Sequence, residues 1–363
     1  MKMDEFDYEA SIPLPIANPD LFGHAEAEAK FLDSFNSGRL PHAWLISGPP
    51  GIGKATLAYR IARFVLTRHS PLDKTAGLFG DNLTQTKPTS LAVDIANPIC
   101  RRIFSGGHAD FLSIERSIDE KTGKKRKEIR VDEVRNKKDG FRNIARFLSK
   151  TPAEGGWRVI IIDSADDLNT WAANTVLKTL EEPPKRVLLI LVSNNPAKLL
   201  PTIHSRCRRL TLNLLPAKTI NKFLQKYNPQ MTSDDLNQLV EIADGSIGRA
   251  LEFSKDGGLD IFREVNGILS TLPQLDIPRL HHLGDKLNRD KSGKVSELTF
   301  DIISRWLVNV NKDLAKNDKR RLDRWIEVWE NTGRLINDTK RLNLDPKQVI
   351  LNTFIAIKSA ANH

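Results

Sequence analysis

At 363 residues with 40% hydrophobic content, the chain has length for roughly two to three domains and an ordinary buried core. Its formal net charge of +10 favours phosphates or acidic partners and is silent on fold. The acidic start Met1–Asp7 is no secretory signal, no apolar run approaches the roughly 18 residues of a membrane helix, and two cysteines, Cys100 and Cys207, make no disulfide framework. The expected compartment is a reducing cytoplasm, with no membrane partner.

Residues 43–47 (AWLIS) run apolar and read as a buried strand. A glycine-rich loop follows, and from Lys54 the residues Leu57, Ala58, Ile61, Ala62, Val65 and Leu66 recur at helical spacing. Residues 71–108 show no clear periodicity and read as an insertion, and 119–128 read as a charged hairpin or loop. Strands are expected at 111–114, 158–163, 187–193 and 208–213, with a helix over Leu168–Leu180. Continuous apolar strands alternating with helices predict an α/β fold, a parallel sheet covered on both faces. Beyond Pro216 the strand signal stops. Residues 217–254 read as a small helical module with Thr232 or Ser233 as an N-cap. The chain from about 258 is helical, its last helix opening with Asp345 as N-cap and Pro346 at the first position.

The loop reads Gly48-Pro49-Pro50-Gly51-Ile52-Gly53-Lys54-Ala55-Thr56. In a P-loop, backbone N–H groups and the helix N-terminus cradle phosphates and the lysine reaches the terminal ones. Gly48, Gly51, Gly53 and Lys54 meet that need between a strand and a helix, and ATP or ADP is the ligand to consider. Magnesium is less well served. The pattern asks for Ser or Thr after the lysine, to ligate the ion, and Ala55 stands there. Thr56 lies roughly 100° further round the helix and is a poor substitute. Asp163, ending the strand 158–163, can hold a metal through water, but the next residue is Ser164, without a carboxylate to orient an attacking water. Asp166 points elsewhere. Asn194 is either a sensor of the terminal phosphate or a turn residue of Asn194-Asn195-Pro196.

Leu180-Glu181-Glu182-Pro183-Pro184 followed by Ser205-Arg206-Cys207 resembles the clamp-loader branch of the AAA+ ATPases. Leu40-Pro41-His42-Ala43, Thr151-Pro152-Ala153-Glu154-Gly155 and Asn343-Leu344-Asp345-Pro346-Lys347-Gln348 are similar to the same branch. The resemblance implies a RecA-like AAA+ domain over 1–215 with an insertion at 71–130, a helical lid over 216–256 and a helical collar over 257–363 that closes a hetero-pentamer. It implies as partners the motor subunits, a delta subunit, a sliding clamp and primed DNA. It also implies that Arg206 is an arginine finger reaching a neighbour's ATP site. Active relatives place a nucleotide-sensing arginine where this chain has Gly248, with Arg249 one step away. Ala55, Ser164 and Gly248 all weaken hydrolysis in cis and leave Arg206 untouched, so the resemblance is to the non-hydrolysing members. An active motor, of clamp-loader or branch-migration type, and a stand-alone basic DNA-binding protein with a vestigial P-loop are the alternatives.

Many relatives carry a four-cysteine zinc module after the P-loop helix. Here Cys100 stands with His108 alone, so no zinc is expected and Cys100 is expected to be a buried small apolar residue. Glu181 and Glu182 sit where a helix dipole disfavours anions, and Lys178, Lys185 or a partner surface is the expected compensation. The run Lys124, Lys125, Arg126, Lys127 reads as a solvated loop, with nucleic-acid phosphates as the sharper alternative. Trp306, Trp325 and Trp329 read as core or subunit-interface packing.

Overall fold

The structure is a computed structural model, and it describes residues 12–68, 87–117, 128–129, 144–154, 156–255, 257–342 and 344–362. The basic run at 124–127 and residues 71–86 of the expected insertion lie outside the described residues.

In chain order the elements begin with α1 (Ala25–Asn36), β1 (Ala43–Ser47), α2 (Lys54–Arg68), α3 (Pro98–Phe104) and β2 (Phe111–Ile114). Next come α4 (Ile144–Ser149), β3 (Arg158–Ile162), α5 (Thr170–Glu181), β4 (Val187–Ser193), α6 (Pro201–Arg206) and β5 (Arg208–Thr211). Helices α7 (Ala217–Tyr227), α8 (Ser233–Ala243), α9 (Ile247–Phe253), α10 (Gly258–Leu269), α11 (Ile277–Arg289), α12 (Lys294–Asn317), α13 (Lys319–Leu342) and α14 (Pro346–Ala361) follow. By contacts the chain divides into two compact units, one of 1–236 with 243–249 and one of 237–242 with 250–363.

The first unit is built on a five-stranded sheet in the order β2-β3-β4-β1-β5. Every pairing is parallel, with Trp44 opposite Ile190 and Ile160 opposite Leu189. Strands β1, β3 and β4 are buried at every position, which is why they read as continuous apolar runs and not as alternation. Their side chains still alternate between faces. Trp44, Ile46, Val159, Ile161, Leu188 and Ile190 join one core with α1, α2 and α3. Leu45, Ile160, Ile162, Leu189 and Leu191 join the other with residues of α4, α5 and α6. Phe31 of α1 stacks at 5.1 Å on Trp44, both almost wholly buried.

Two local readings need correction. The stretch 71–108 is not wholly irregular, because α3 forms within it. Asn97 accepts the Ile99 N–H and Pro98 fills the first turn, and Ile99, Cys100 and Ile103 are buried. The expected helix over Leu168–Leu180 begins only at Thr170. A 3-10 turn, Ala165–Asp167, precedes it, and Asn169 caps it by accepting the Ala172 N–H. Thr232 is the cap of α8, accepting the Asp235 N–H at 3.2 Å.

In the second unit α12, α13 and α14 form the longest helices. Asp345 accepts the Lys347 N–H at the start of α14, and Pro346 follows it, as the sequence predicts. Trp306 and Trp325 meet edge to face at 5.7 Å, with Trp325 buried, whereas Trp329 is 43% exposed. Among the described residues no helix is long and apolar enough to cross a membrane.

Cys100 is buried, and Cys207 is half-buried against the apolar core. Burial raises the Cys100 thiol above its usual range, and it pushes Cys207 up to about 12. Thiolate is the reactive form. We expect neither cysteine to react with a disulfide reagent at pH 8 within minutes, and two thiols per chain to appear once denaturant is added. A thiol that titrates in the native chain would contradict the upward shift of both groups.

Candidate functional site

The glycine-rich loop leaves the carboxyl end of β1, which lies between β4 and the edge strand β5, and open parallel sheets place their ligands at the carboxyl ends of strands. Gly48, Gly51 and Gly53 hold φ of 151°, 73° and 103°, a region that other residues rarely enter. Gly48 also passes so close to β5 that an added Cβ would sit 2.3 Å from the Leu212 carbonyl oxygen. Lys54 begins α2 and its ammonium donates back to the carbonyls of Gly48 (2.8 Å) and Pro49. Burial lowers the Lys54 ammonium to about 8, while the charges of Asp163 and Asp166 pull it up. It therefore stays mainly protonated at pH 7.

Other groups steady the loop from outside. His24, itself left-handed, shares a 2.8 Å hydrogen bond with the Ile52 carbonyl. Ser246 Oγ donates to the Pro50 carbonyl at 3.0 Å, and the Gly248 N–H donates to the Gly51 carbonyl at 2.8 Å. A Cβ on Gly248 would lie 2.8 Å from Gly51 Cα. The space that a side chain at 248 would need is thus filled by the P-loop backbone itself. Arg249, the neighbour, is buried.

The acidic end of β3 carries Asp163 and, a turn later, Asp166. Asp163 follows β3 and its N–H donates to the Ile114 carbonyl. Ser164 is left-handed with φ 61°, and starts the turn that places Asp166. Asp166 spends its carboxylate on the exit of β4. It accepts from Ser193 Oγ, from the Asn194 N–H and from the Asn195 N–H at 3.0 Å. Asn194 is exposed at that exit, its backbone fixed by Asp166. This role has no local motif in the sequence beyond the spacing Asp163-x-x-Asp166.

The arrangement fits the phosphates of a nucleotide. The positive-φ glycines, the open N-terminus of the fifteen-residue α2 and Lys54 supply the cradle. It does not supply the usual metal hydroxyl. Ala55 packs on the apolar core beside α2, and Thr56 sits half-buried in the first turn. Among the described residues no cluster of His, Cys, Asp or Glu could hold a metal ion. His108 is buried and its Nδ1 accepts the Asp110 N–H, a local structural bond.

Arg206 is the last residue of α6. One terminal nitrogen donates to the Thr202 carbonyl (3.2 Å) and to Ser205 Oγ (3.4 Å). The other pairs with Glu181 at 3.1 Å. The compensation for Glu181 at the end of α5 is therefore Arg206, which was not among the sources considered from sequence. Helix α6 is fixed underneath by buried Ile203 and by a 2.6 Å bond between His204 and the Pro196 carbonyl.

A family described as DNA polymerase III, delta subunit, matches residues 23–216. The DNA polymerase III subunit delta' of Pseudomonas aeruginosa is 32% identical over 205 residues, 56% of this chain and 53% of that protein. A DNA polymerase III subunit gamma of Buchnera aphidicola is 28% identical over 254 residues, 69% of this chain and 60% of that protein. The chain thus spans little more than half the length of these relatives. A solved gamma subunit-related protein from Thermotoga maritima aligns with 92% of this chain and 100% of its own at 18% identity, with a TM-score of only 0.40. The family match covers more than half of the chain, from the approach to the P-loop through β5, and on it the chain belongs to the family described as DNA polymerase III, delta subunit.

Proposed function

We propose that this chain is the non-hydrolysing subunit of a replicative clamp loader, acting in the cytoplasm within a hetero-oligomer. It lends Arg206 to the ATP site of a neighbouring motor subunit while a sliding clamp is placed on primed DNA. The observation that carries the proposal is the contrast between two places. At Gly248 a side chain would meet Gly51, so this arrangement leaves no room for a sensing arginine over its own nucleotide. At α6, Arg206 stands partly exposed. Ala55 and Ser164 point the same way. The division into a RecA-like domain over 1–215, a lid over 216–256 and a collar over 257–363 belongs to this proposal. So does a P-loop that holds ATP or ADP, with Lys54, Asp163 and Asn194 near its phosphates and magnesium weakly held or absent.

Gamma and tau subunits also stand among the relatives, which keeps a motor role as the second reading. ATP turnover separates the two. The purified chain should hydrolyse no more ATP than its Lys54→Ala variant, and should raise turnover when added to gamma- or tau-type subunits with clamp and primed DNA. Steady, Lys54-dependent turnover by the chain alone would establish the motor instead. Tight, strongly salt-dependent DNA binding without other subunits, and no effect on their turnover, would favour an independent DNA-binding protein.

A further inference from the structure

We infer that Glu181 is the positioning residue of Arg206. The inference rests on the finger reading of Arg206 and adds to it how the guanidinium is held before a neighbour arrives. Arg206 reaches Glu181 with one terminal nitrogen and its own helix with the other, through Thr202 and Ser205. The two partners come from different elements, the end of α5 and the end of α6, so the planar group is fixed on two sides and not merely folded along its own turn. A guanidinium carries five donors, and this arrangement leaves donors over for a phosphate.

Stability does not account for the pair. The side chains are 36% and 50% exposed, and an ion pair so open to water adds little to folding. The carboxylate also lies in the last turn of α5, where the helix dipole opposes it. The small gain and the small penalty are of similar size. What the pair does supply is order. An arginine loses rotamer freedom when it docks on a phosphate, and a residue that restricts it beforehand lowers that loss.

Pre-steady-state phosphate release by the reconstituted loader tests this, with gel filtration to verify equal assembly. Glu181→Ala should leave the melting temperature within about 2 °C. At saturating ATP it should slow the Arg206-dependent phase by about two- to five-fold, the effect of losing one exposed ion pair. The ATP concentration for half-saturation should stay unchanged, since Glu181 touches no nucleotide. Glu181→Gln keeps an acceptor oxygen and should recover much of the rate. Glu181→Asp, a methylene shorter, should behave as Glu181→Ala. If Arg206→Ala removes the phase while Glu181→Ala leaves it unchanged or faster, Glu181 does not position the finger and the finger reading stands. If Arg206→Ala changes nothing, the finger reading itself falls, and the role of Glu181 with it.

Discussion

Replacing Arg206 with alanine should slow hydrolysis at the neighbouring site by about 10³-fold or more while leaving the loader assembled. The magnitude follows from where charge develops. In phosphoryl transfer the equatorial oxygens gain charge that water solvates poorly in a closed site, and a guanidinium there lowers the barrier by roughly 4–7 kcal/mol. Arg206 can be removed cleanly because nothing in the core depends on it. Its partners are a carbonyl and a hydroxyl of its own helix and the exposed Glu181. The neighbouring Ile203 and Cys207 carry the packing. Lysine at 206 should restore only part of the rate, since it keeps the charge and loses the planar fork. The measurement is the burst of phosphate release, in which one phase should vanish. A full burst from an assembled Arg206→Ala loader would remove the central claim of the proposed function.

The second large effect concerns the loop. Gly48→Ala should destabilise the first unit by about 3 kcal/mol, from the overlap and the strained backbone together. That corresponds to a fall in melting temperature of roughly 6–12 °C for a unit of this size. The added methyl would lie 2.3 Å from the Leu212 oxygen and 2.9 Å from Ile52 Cδ1. The carbonyl cannot retreat easily, because the Leu212 N–H is bonded to Ser47 at 2.8 Å and holds that segment against β1. The φ of 151° adds strain that alanine tolerates poorly. Calorimetry of the variant against the parent decides the matter, and a shift under 2 °C would mean the strand edge is softer than its hydrogen bonds indicate.

The sheet was legible because burial on both faces writes itself as unbroken apolar runs. Strands β1, β2 and β4 fall at the positions expected, and β3 and β5 differ only at their ends. Helix α3 was hidden by its seven residues, too few for periodicity to stand out, although Asn97-Pro98 marked its start. The P-loop was legible because glycine spacing around a lysine has few other uses. The groups that steady it were not. His24 and Ser246 lie far from the loop in sequence, and a hydrogen bond from a distant side chain to a backbone carbonyl leaves no local pattern. The Glu181–Arg206 pair was hidden for the same reason, since it joins two helix ends on either side of β4.

Helix α6 is only six residues long, too short to persist by its own backbone bonds. Its shape is lent by the core through Ile203 and by the turn at Pro196 through His204. An arginine carried on a free loop would have to be ordered at every encounter with a neighbour. Here the ordering is completed once, when the sheet folds, and a neighbour of the kind proposed would meet a surface already set.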